Sequence, residues 1–491
     1  MPKTSRTSKV LALSLGQTLT TVASIVSGMV LARILSKVDY ATIRQTMLAY
    51  NFVAPLLMLG LPSALYFFLP RNENRQRGVT IDNMLLLFGL SVIFCLFLTF
   101  GGADLLAKRF NNPDLAITLK WMIGYPLYVM PVSVLGAVLV SKEKITTLTV
   151  FNVLTKFILI ALTIATVLYT RSYEAPLVVQ IALPFFFALV AIRIIFKNLP
   201  KDNASPSGKS MKEIIKYSAP LGIASMMGTI MLQLDKIIVS SMCTPEEFAN
   251  YVNGAIEIPL IAVITGSISA VILADMSKMC HDGKKEDALI LFKKAVLRSS
   301  AILFPVMVFL LMAAKPFIVT LYSAKYLESI LPFIIYLFVI PIRAVMYGSV
   351  LMAIGQTRII LYRSIFDLLV NAILSILFIY LWGYIGAAIA TIATLYIWTV
   401  PFNMYYISKG FNVPVLATLP LKKMSIVMLI SIGGVVTGII YKLFDSSALF
   451  IQLIIAAGFY FPVVFFILYR NKFLIIPPKY NQFIPQFLSN D

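Results

Sequence analysis

The chain has 491 residues, of which 59% are hydrophobic and 13% charged, and its mean hydropathy is +0.90. A soluble domain of this length does not carry so much apolar surface, so the solvent implied is a lipid bilayer. The formal charge of +20 does not point to nucleic acid, because the lysines and arginines sit in connectors between apolar stretches, where they meet headgroups and the membrane potential.

Apolar stretches of about 20 residues, each long enough to cross a bilayer, recur about 14 times. Continuous apolar runs lack the alternation of barrel strands, and a bilayer admits only helices or closed barrels, so the fold class is an all-α membrane protein. The N-terminal run after Lys3, Arg6 and Lys9 reaches Leu31 without a small-residue cleavage site, so it reads as a retained first helix rather than a signal peptide. In chain order the predicted helices 1 to 6 are Val10–Leu31, Thr46–Leu69, Asn83–Gly102, Ile117–Val140, Leu148–Tyr169 and Pro176–Phe196. A polar Pro/Ser/Gly/Lys-rich segment from Lys197 to Lys216 then reads as a hinge. Helices 7 to 12 follow as Ile214–Met242, Tyr251–Ala274, Ala295–Leu321, Leu331–Ile354, Ser364–Leu381 and Ile385–Ile407, and helices 13 and 14 as Met424–Leu443 and Leu449–Tyr469.

This divides the chain into an N-lobe at 1–200, a C-lobe at 201–423, and two further helices with a tail at 424–491. The excess of Lys and Arg in alternate connectors places both termini in the cytoplasm. Six helices per lobe give two copies the same sidedness, related by a pseudo-two-fold axis along the membrane normal. Traces of duplication are present. LSKVDYATI (Leu35 to Ile43) after helix 1 is answered by TPEEFANYV (Thr244 to Val252) after helix 7, and helices 4 and 10 both carry prolines in mid-span, Pro126 and Pro131 in one and Pro341 in the other.

Charges inside a span are costly, about 2.5 to 3.5 kcal/mol on insertion scales, and those that occur face protein or water. Arg343, just after Pro341 in helix 10, is the strongest candidate for gripping an anionic substrate, because its planar fork matches phosphate oxygens. Lys156 in helix 5 shares a helical face with Asn152 and Thr163, and Lys236 in helix 7 adds a third cation. Glu257, Asp235 and Asp367 are candidates for coupling a proton or sodium ion. Helix 11 carries Arg363, Asp367, Asn371 and Ser375 at four-residue intervals, so Asp367 pairs with Arg363 or reaches Lys156. Polar stripes containing Gln17 and Thr21 in helix 1 and Thr229 and Gln233 in helix 7, with Asn152 and Asn371, either line a cavity or join helices. The segment His281 to Lys294 reads as an amphipathic approach to helix 9 near the headgroups. Scattered Cys95, Cys243 and Cys280 and a lone His281 form neither a disulfide framework nor a metal site, and no cofactor is implied.

Several segments resemble one family. These are Leu31-Ala32-Arg33-Ile34-Leu35-Ser36 with Asp39-Tyr40, Gln233 to Val239 followed by Pro245 to Tyr251, Pro316-Phe317-Ile318 through Tyr322, Tyr326 and Ser329, Gly355-Gln356-Thr357, and Trp382-Gly383-Tyr384-Ile385-Gly386-Ala387-Ala388. Together, in order and spacing, they are similar to polysaccharide-export flippases of the multidrug/oligosaccharidyl-lipid/polysaccharide (MOP) superfamily. Ala41 and Ala249 depart from that pattern, where many members carry Gly. The resemblance implies a V-shaped pair of six-helix lobes around a cavity that opens alternately to each side. It also implies a polyprenyl-diphosphate-linked oligosaccharide moved outward across a bacterial cytoplasmic membrane, with a polymerase or glycosyltransferases as partners. Two other functions fit a chain of this kind: a cation-coupled drug antiporter, whose cavity favours acidic and aromatic groups, and a membrane-embedded saccharide polymerase, which needs an acid-base or metal-binding cluster not visible in the sequence.

Overall fold

Hydrocarbon offers no partner to a backbone amide, so nearly every described residue is helical and the chain is a polytopic helical membrane protein. A computed structural model describes residues 6–202, 205–439 and 449–474. Ten helices in it are long and apolar enough to cross a membrane, or twelve if two bent pairs each count as one span. Two more long helices, Arg6–Ile34 and Gly208–Met242, lie where sequence helices 1 and 7 were expected, although many of their side chains lie outside the described residues.

The first half comprises α1 (Arg6–Ile34), α2 (Lys37–Met58), α3 (Leu61–Arg71), α4 (Gln76–Phe97), α5 (Ala103–Arg109), α6 (Asp114–Trp121), α7 (Tyr125–Val132), α8 (Leu135–Ser141), α9 (Ile145–Thr170) and α10 (Glu174–Asn198). The second runs α11 (Gly208–Met242), α12 (Pro245–Gly254), α13 (Pro259–His281), α14 (Lys285–Met312), α15 (Ala314–Tyr322), α16 (Ile330–Leu337), α17 (Ile340–Arg343), α18 (Tyr347–Ala353), α19 (Thr357–Trp382), α20 (Tyr384–Ala393) and α21 (Val400–Phe411). Then come α22 (Leu421–Gly433), α23 (Val435–Gly438) and α24 (Leu449–Arg470); the end expected for helix 13 at Leu443 lies outside the described residues.

Interruptions recur at equivalent places in the two halves. Spans 2, 3 and 4 break at Leu59–Gly60, at 98–102 and at 122–124, the last with a bend of 53°. Spans 8, 9 and 10 break at 255–258, at Ala313 and on both sides of α17, whereas spans 5, 6 and 11 are unbroken. Proline explains some of these, since it removes an amide donor and clashes with the preceding turn. At the span 2 break, Leu59 and Gly60 both adopt left-handed backbone (φ 46° and 71°), and α11 crosses against them so closely that a Cβ on Gly222 would lie 2.2 Å from the Leu59 carbonyl carbon. Only glycine fits there.

Two compact units emerge from packing: 1–253 with 364–391, and 254–363 with 392–491. The sequence division at 200 and 423 rests on duplication and linker composition, which is another criterion. In the first unit, Leu61, Leu65, Leu87, Val134, Val138 and Ile195 form the heart of a core contributed by α3, α4, α8 and α10. In the second, α14 is the central helix, with 67% of its span buried. The segment from His281 to Lys294 leads directly into sequence helix 9: α13 runs to His281 and α14 starts at Lys285, so both helices extend beyond the expected spans.

The linker read as a hinge is held down where it is described. Asp82, fully buried, accepts from Arg75 Nη2 at 2.9 Å and from the Ser207 amide at 2.9 Å, while Arg75 also donates to the Ser205 carbonyl at 2.8 Å. Asp202 accepts from the Arg77 amide at 3.0 Å, placing a carboxylate at the positive end of α4. Ser and Asp in this segment act as caps, not as flexible filler. Removing one partner of a buried pair costs about 3 to 5 kcal/mol. Asp82→Ala is therefore expected to lower the unfolding temperature and expose 199–207 to protease; an unchanged melting curve and cleavage pattern would contradict the clasp.

Candidate functional site

Lys156 lies part-way along α9 beside a cavity of about 370 Å³ with a mixed, mostly apolar wall, lined by Gly16 and Thr20 of α1, Thr149, Asn152, Val153, Thr155 and Leu159 of α9, and Phe187 of α10. Close approach of α1 creates this wall: a Cβ on Gly16 would sit 2.9 Å from Thr149 Cγ2. The hydroxyls of Thr149 and Thr155 donate to their own helix at Ile145 O (3.1 Å) and Phe151 O (2.7 Å), which leaves their lone pairs for the cavity. Among the described residues no carboxylate pairs with Lys156. Asn152 and Lys156 thus come together as their spacing predicts, whereas Thr163 is buried away from the cavity.

A second polar cluster joins α11, α19 and α20. Asp235 Oδ2 accepts from Thr391 Oγ1 at 2.6 Å, and Ser375 Oγ lies 3.5 Å from both Asp235 Oδ1 and Asn371 Oδ1. Asn371 Nδ2 is 3.4 Å from Thr391 Oγ1, and the Thr391 hydroxyl is also 3.1 Å from the Ala387 carbonyl. Lys236, about 100° around the helix from its neighbour, points elsewhere, with Nζ 3.5 Å from Gln233 Oε1. Asp367, one turn from Asn371, is buried.

Arg343 and Glu257 find each other across two helix breaks. Nη2 and Oε1 are 2.5 Å apart, with about half of each side chain exposed (51% and 53%). The strongest cationic candidate from sequence and one acidic candidate therefore neutralise one another. Thr21 is exposed, and the side chains of Gln17 and Thr229 lie outside the described residues.

Residues 30–331, more than half of the chain, match the family of polysaccharide biosynthesis proteins. The chain belongs to this family. No curated protein matches it by sequence. Among solved structures it is similar to the lipid II flippase MurJ in an inward closed conformation, with 17% identity and a TM-score of 0.73 over 94% of this chain and 100% of that one. It is also similar to an inward-facing multidrug resistance MATE family transporter of the MOP superfamily, with 14% identity and a TM-score of 0.59 over 85% and 98%. A MOP superfamily transporter from Pyrococcus furiosus, described as having a binding pocket of reverse polarity, matches at 14% identity and a TM-score of 0.51 over 85% and 94%. The fold is that of the MOP superfamily, as the sequence motifs implied.

Sequence reasoning singled out Asp235, Asn371 and Lys156 but did not foresee that Thr391 closes the Asp235 cluster. In this family member Thr391 follows the small Gly386-Ala387-Ala388 run, and a Cβ on Gly386 would meet the Phe378 carbonyl at 2.0 Å; that close helix contact was the available signal. The Arg343–Glu257 pair carries its own test. Reversing either charge alone is expected to lower thermal stability and reversing both to recover it; additive losses in the double variant would show that the two charges are not coupled.

Proposed function

We propose that this protein is a flippase that carries a polyprenyl-diphosphate-linked oligosaccharide from the cytoplasmic to the outer leaflet of a bacterial cytoplasmic membrane, for cell-surface polysaccharide synthesis. The observation that carries the reading is Lys156: an ammonium without a carboxylate partner among the described residues, beside a cavity whose lining includes three threonines and an asparagine. Buried charge without compensation is costly, so such a site favours an anion. The diphosphate supplies the charge, Thr20, Thr149, Thr155 and Asn152 offer polar contacts to phosphate or sugar, and the polyprenyl tail stays in lipid. A cavity built for organic cations would place a carboxylate where Lys156 stands. The membership of a polysaccharide biosynthesis family supports the saccharide as cargo.

The Asp235 cluster supports a coupling cation. It presents one carboxylate with hydroxyl, amide and carbonyl oxygens, which suits a hard monovalent ion such as Na⁺, and a proton on Asp235 is the alternative the same geometry accepts. Alternating access then exposes the anion site to each membrane face in turn, with cation movement supplying the bias.

Lys156→Ala is expected to reduce export at least about tenfold, the equivalent of one charge-assisted hydrogen bond, while Lys156→Arg retains it. Accumulation of lipid-linked precursor on the cytoplasmic face is the measurement. Normal export by a folded Lys156→Ala variant would overturn the site, and formation of new glycosidic bonds by purified protein would replace transport with polymerisation. Asp235→Asn is expected to abolish the response of transport to an imposed Na⁺ or H⁺ gradient; an undiminished response would remove Asp235 from coupling.

A further inference from the structure

Spans 2 and 7 are both weakened at the level where their backbones touch. The Leu59–Gly60 break divides α2 from α3, and α11 carries Pro220, which supplies no amide to the carbonyl four residues back. Contact there is reciprocal: a Cβ on Gly222 would lie 2.2 Å from the Leu59 carbonyl carbon, and one on Gly60 would lie 2.9 Å from the Gly222 amide nitrogen. Backbone meets backbone with no side chain between, so this point can act as a pivot. On either side of it the helices are joined by different chemistry. Towards the C-terminal end of α11, Gln45 Nε2 donates to Ser240 Oγ at 2.9 Å and to the Phe110 carbonyl at 3.3 Å, and Asn112 Nδ2 donates to Gln45 Oε1 at 2.6 Å. All three side chains are buried. Towards the N-terminal end, the Arg71 guanidinium lies 3.4 Å over the Phe67 ring, and Phe67 stacks on Tyr217 with ring centres 4.3 Å apart.

The two joints respond oppositely to water. Neutral polar groups exchange protein bonds for water with little net loss, and Asn112 Oδ1, buried with no partner among the described residues, gains a bond when wetted. Aromatic faces gain nothing comparable, so the stack resists wetting. The lever arms are unequal as well. Ser240 lies 18 residues beyond Gly222, about 27 Å at about 1.5 Å per residue, whereas Tyr217 lies five residues before it, about 7.5 Å away. A tilt of α11 by about 10° at the pivot carries Ser240 about 5 Å, enough to part it from Gln45, but Tyr217 only about 1.3 Å, which leaves the stack made. Bending at Pro220 does the reverse: it parts Tyr217 from Phe67 and leaves Ser240 in place. We propose that Gln45 with Ser240 and Phe67 with Tyr217 are separate latches for the two ends of the seam between spans 2 and 7, and that the Gly60–Gly222 contact is the hinge that lets one open while the other stays shut. The inference rests on reading the protein as an alternating-access transporter.

The test uses full-length protein in lipid nanodiscs, with Cys95, Cys243 and Cys280 replaced by serine and spin labels on two pairs of introduced cysteines. Val38→Cys with Met242→Cys reports the polar end, and Asn74→Cys with Lys212→Cys reports the aromatic end. Tyr217→Ala is expected to add a population in which the 74–212 distance is longer by about 5 Å, the displacement of Lys212 for a bend of about 25° at an arm of about 12 Å. The 38–242 distance is expected to hold in that variant, and Tyr217→Phe, which keeps the stack, to change neither pair. Gln45→Ala and Ser240→Ala are expected to lengthen 38–242 by about 5 Å and leave 74–212 unchanged. Ser240→Ala removes only a hydroxyl and keeps the test decisive if Gln45→Ala does not fold. Lengthening of both pairs by a single substitution, or of neither pair by any, overturns the hinge. Distances are read without cargo, so a failure of the transport reading shows separately, as reconstituted wild type that moves no lipid-linked saccharide across a vesicle membrane while the distances change as stated.

Discussion

A bilayer interior bonds no amide, and everything else in this structure follows from how the chain leaves helical geometry despite that. Spans 2, 3, 4, 8, 9 and 10 are broken, and each break frees backbone groups that protein must cover. Glycine and close helix contact do much of the covering: Gly222 lets α11 lie on the Leu59–Gly60 break, and Gly386 lets α20 lie on the Phe378 carbonyl. The breaks are also where charge is admitted. Arg343 ends the short α17 and Glu257 lies in the gap between α12 and α13, so irregular backbone and charged side chains share the same places.

The charges then sort by partner. Asp82 is held by Arg75 and the linker amides, Glu257 by Arg343, and Asp235 by hydroxyls from two other helices. Lys156 differs: the cavity beside it mixes threonine and asparagine with apolar side chains and carries no countercharge among the described residues. An uncompensated cation lowers stability unless an anion completes it. The Asp235 cluster has the opposite character, one carboxylate among hydroxyl, amide and carbonyl groups.

Much of this was legible in the sequence because hydropathy has the period of the structure. The spans follow from runs of apolar residues, and the pairing of prolines in helices 4 and 10 anticipated that both are broken. Asn152 and Lys156, four residues apart, were bound to share a face. The break at Leu59 was not legible, since a leucine in left-handed backbone has no local sequence signal and depends on α11 crossing there. Composition did not reveal that Asp202 accepts from the Arg77 amide or that the Ser205 carbonyl and Ser207 amide bond to the Arg75–Asp82 pair. Tertiary partners of this kind leave no periodicity to read.

The central claim is that a substrate's phosphate region seats in the groove between α1 and α9. The most direct measurement is photo-crosslinking with a polyprenyl diphosphate that carries its reactive group next to the phosphates, followed by peptide mapping. The account requires adducts within residues 16–28 and 149–156, suppressed by excess inorganic pyrophosphate. Adducts confined to α22 and α24, or labelling that pyrophosphate does not suppress, would contradict it.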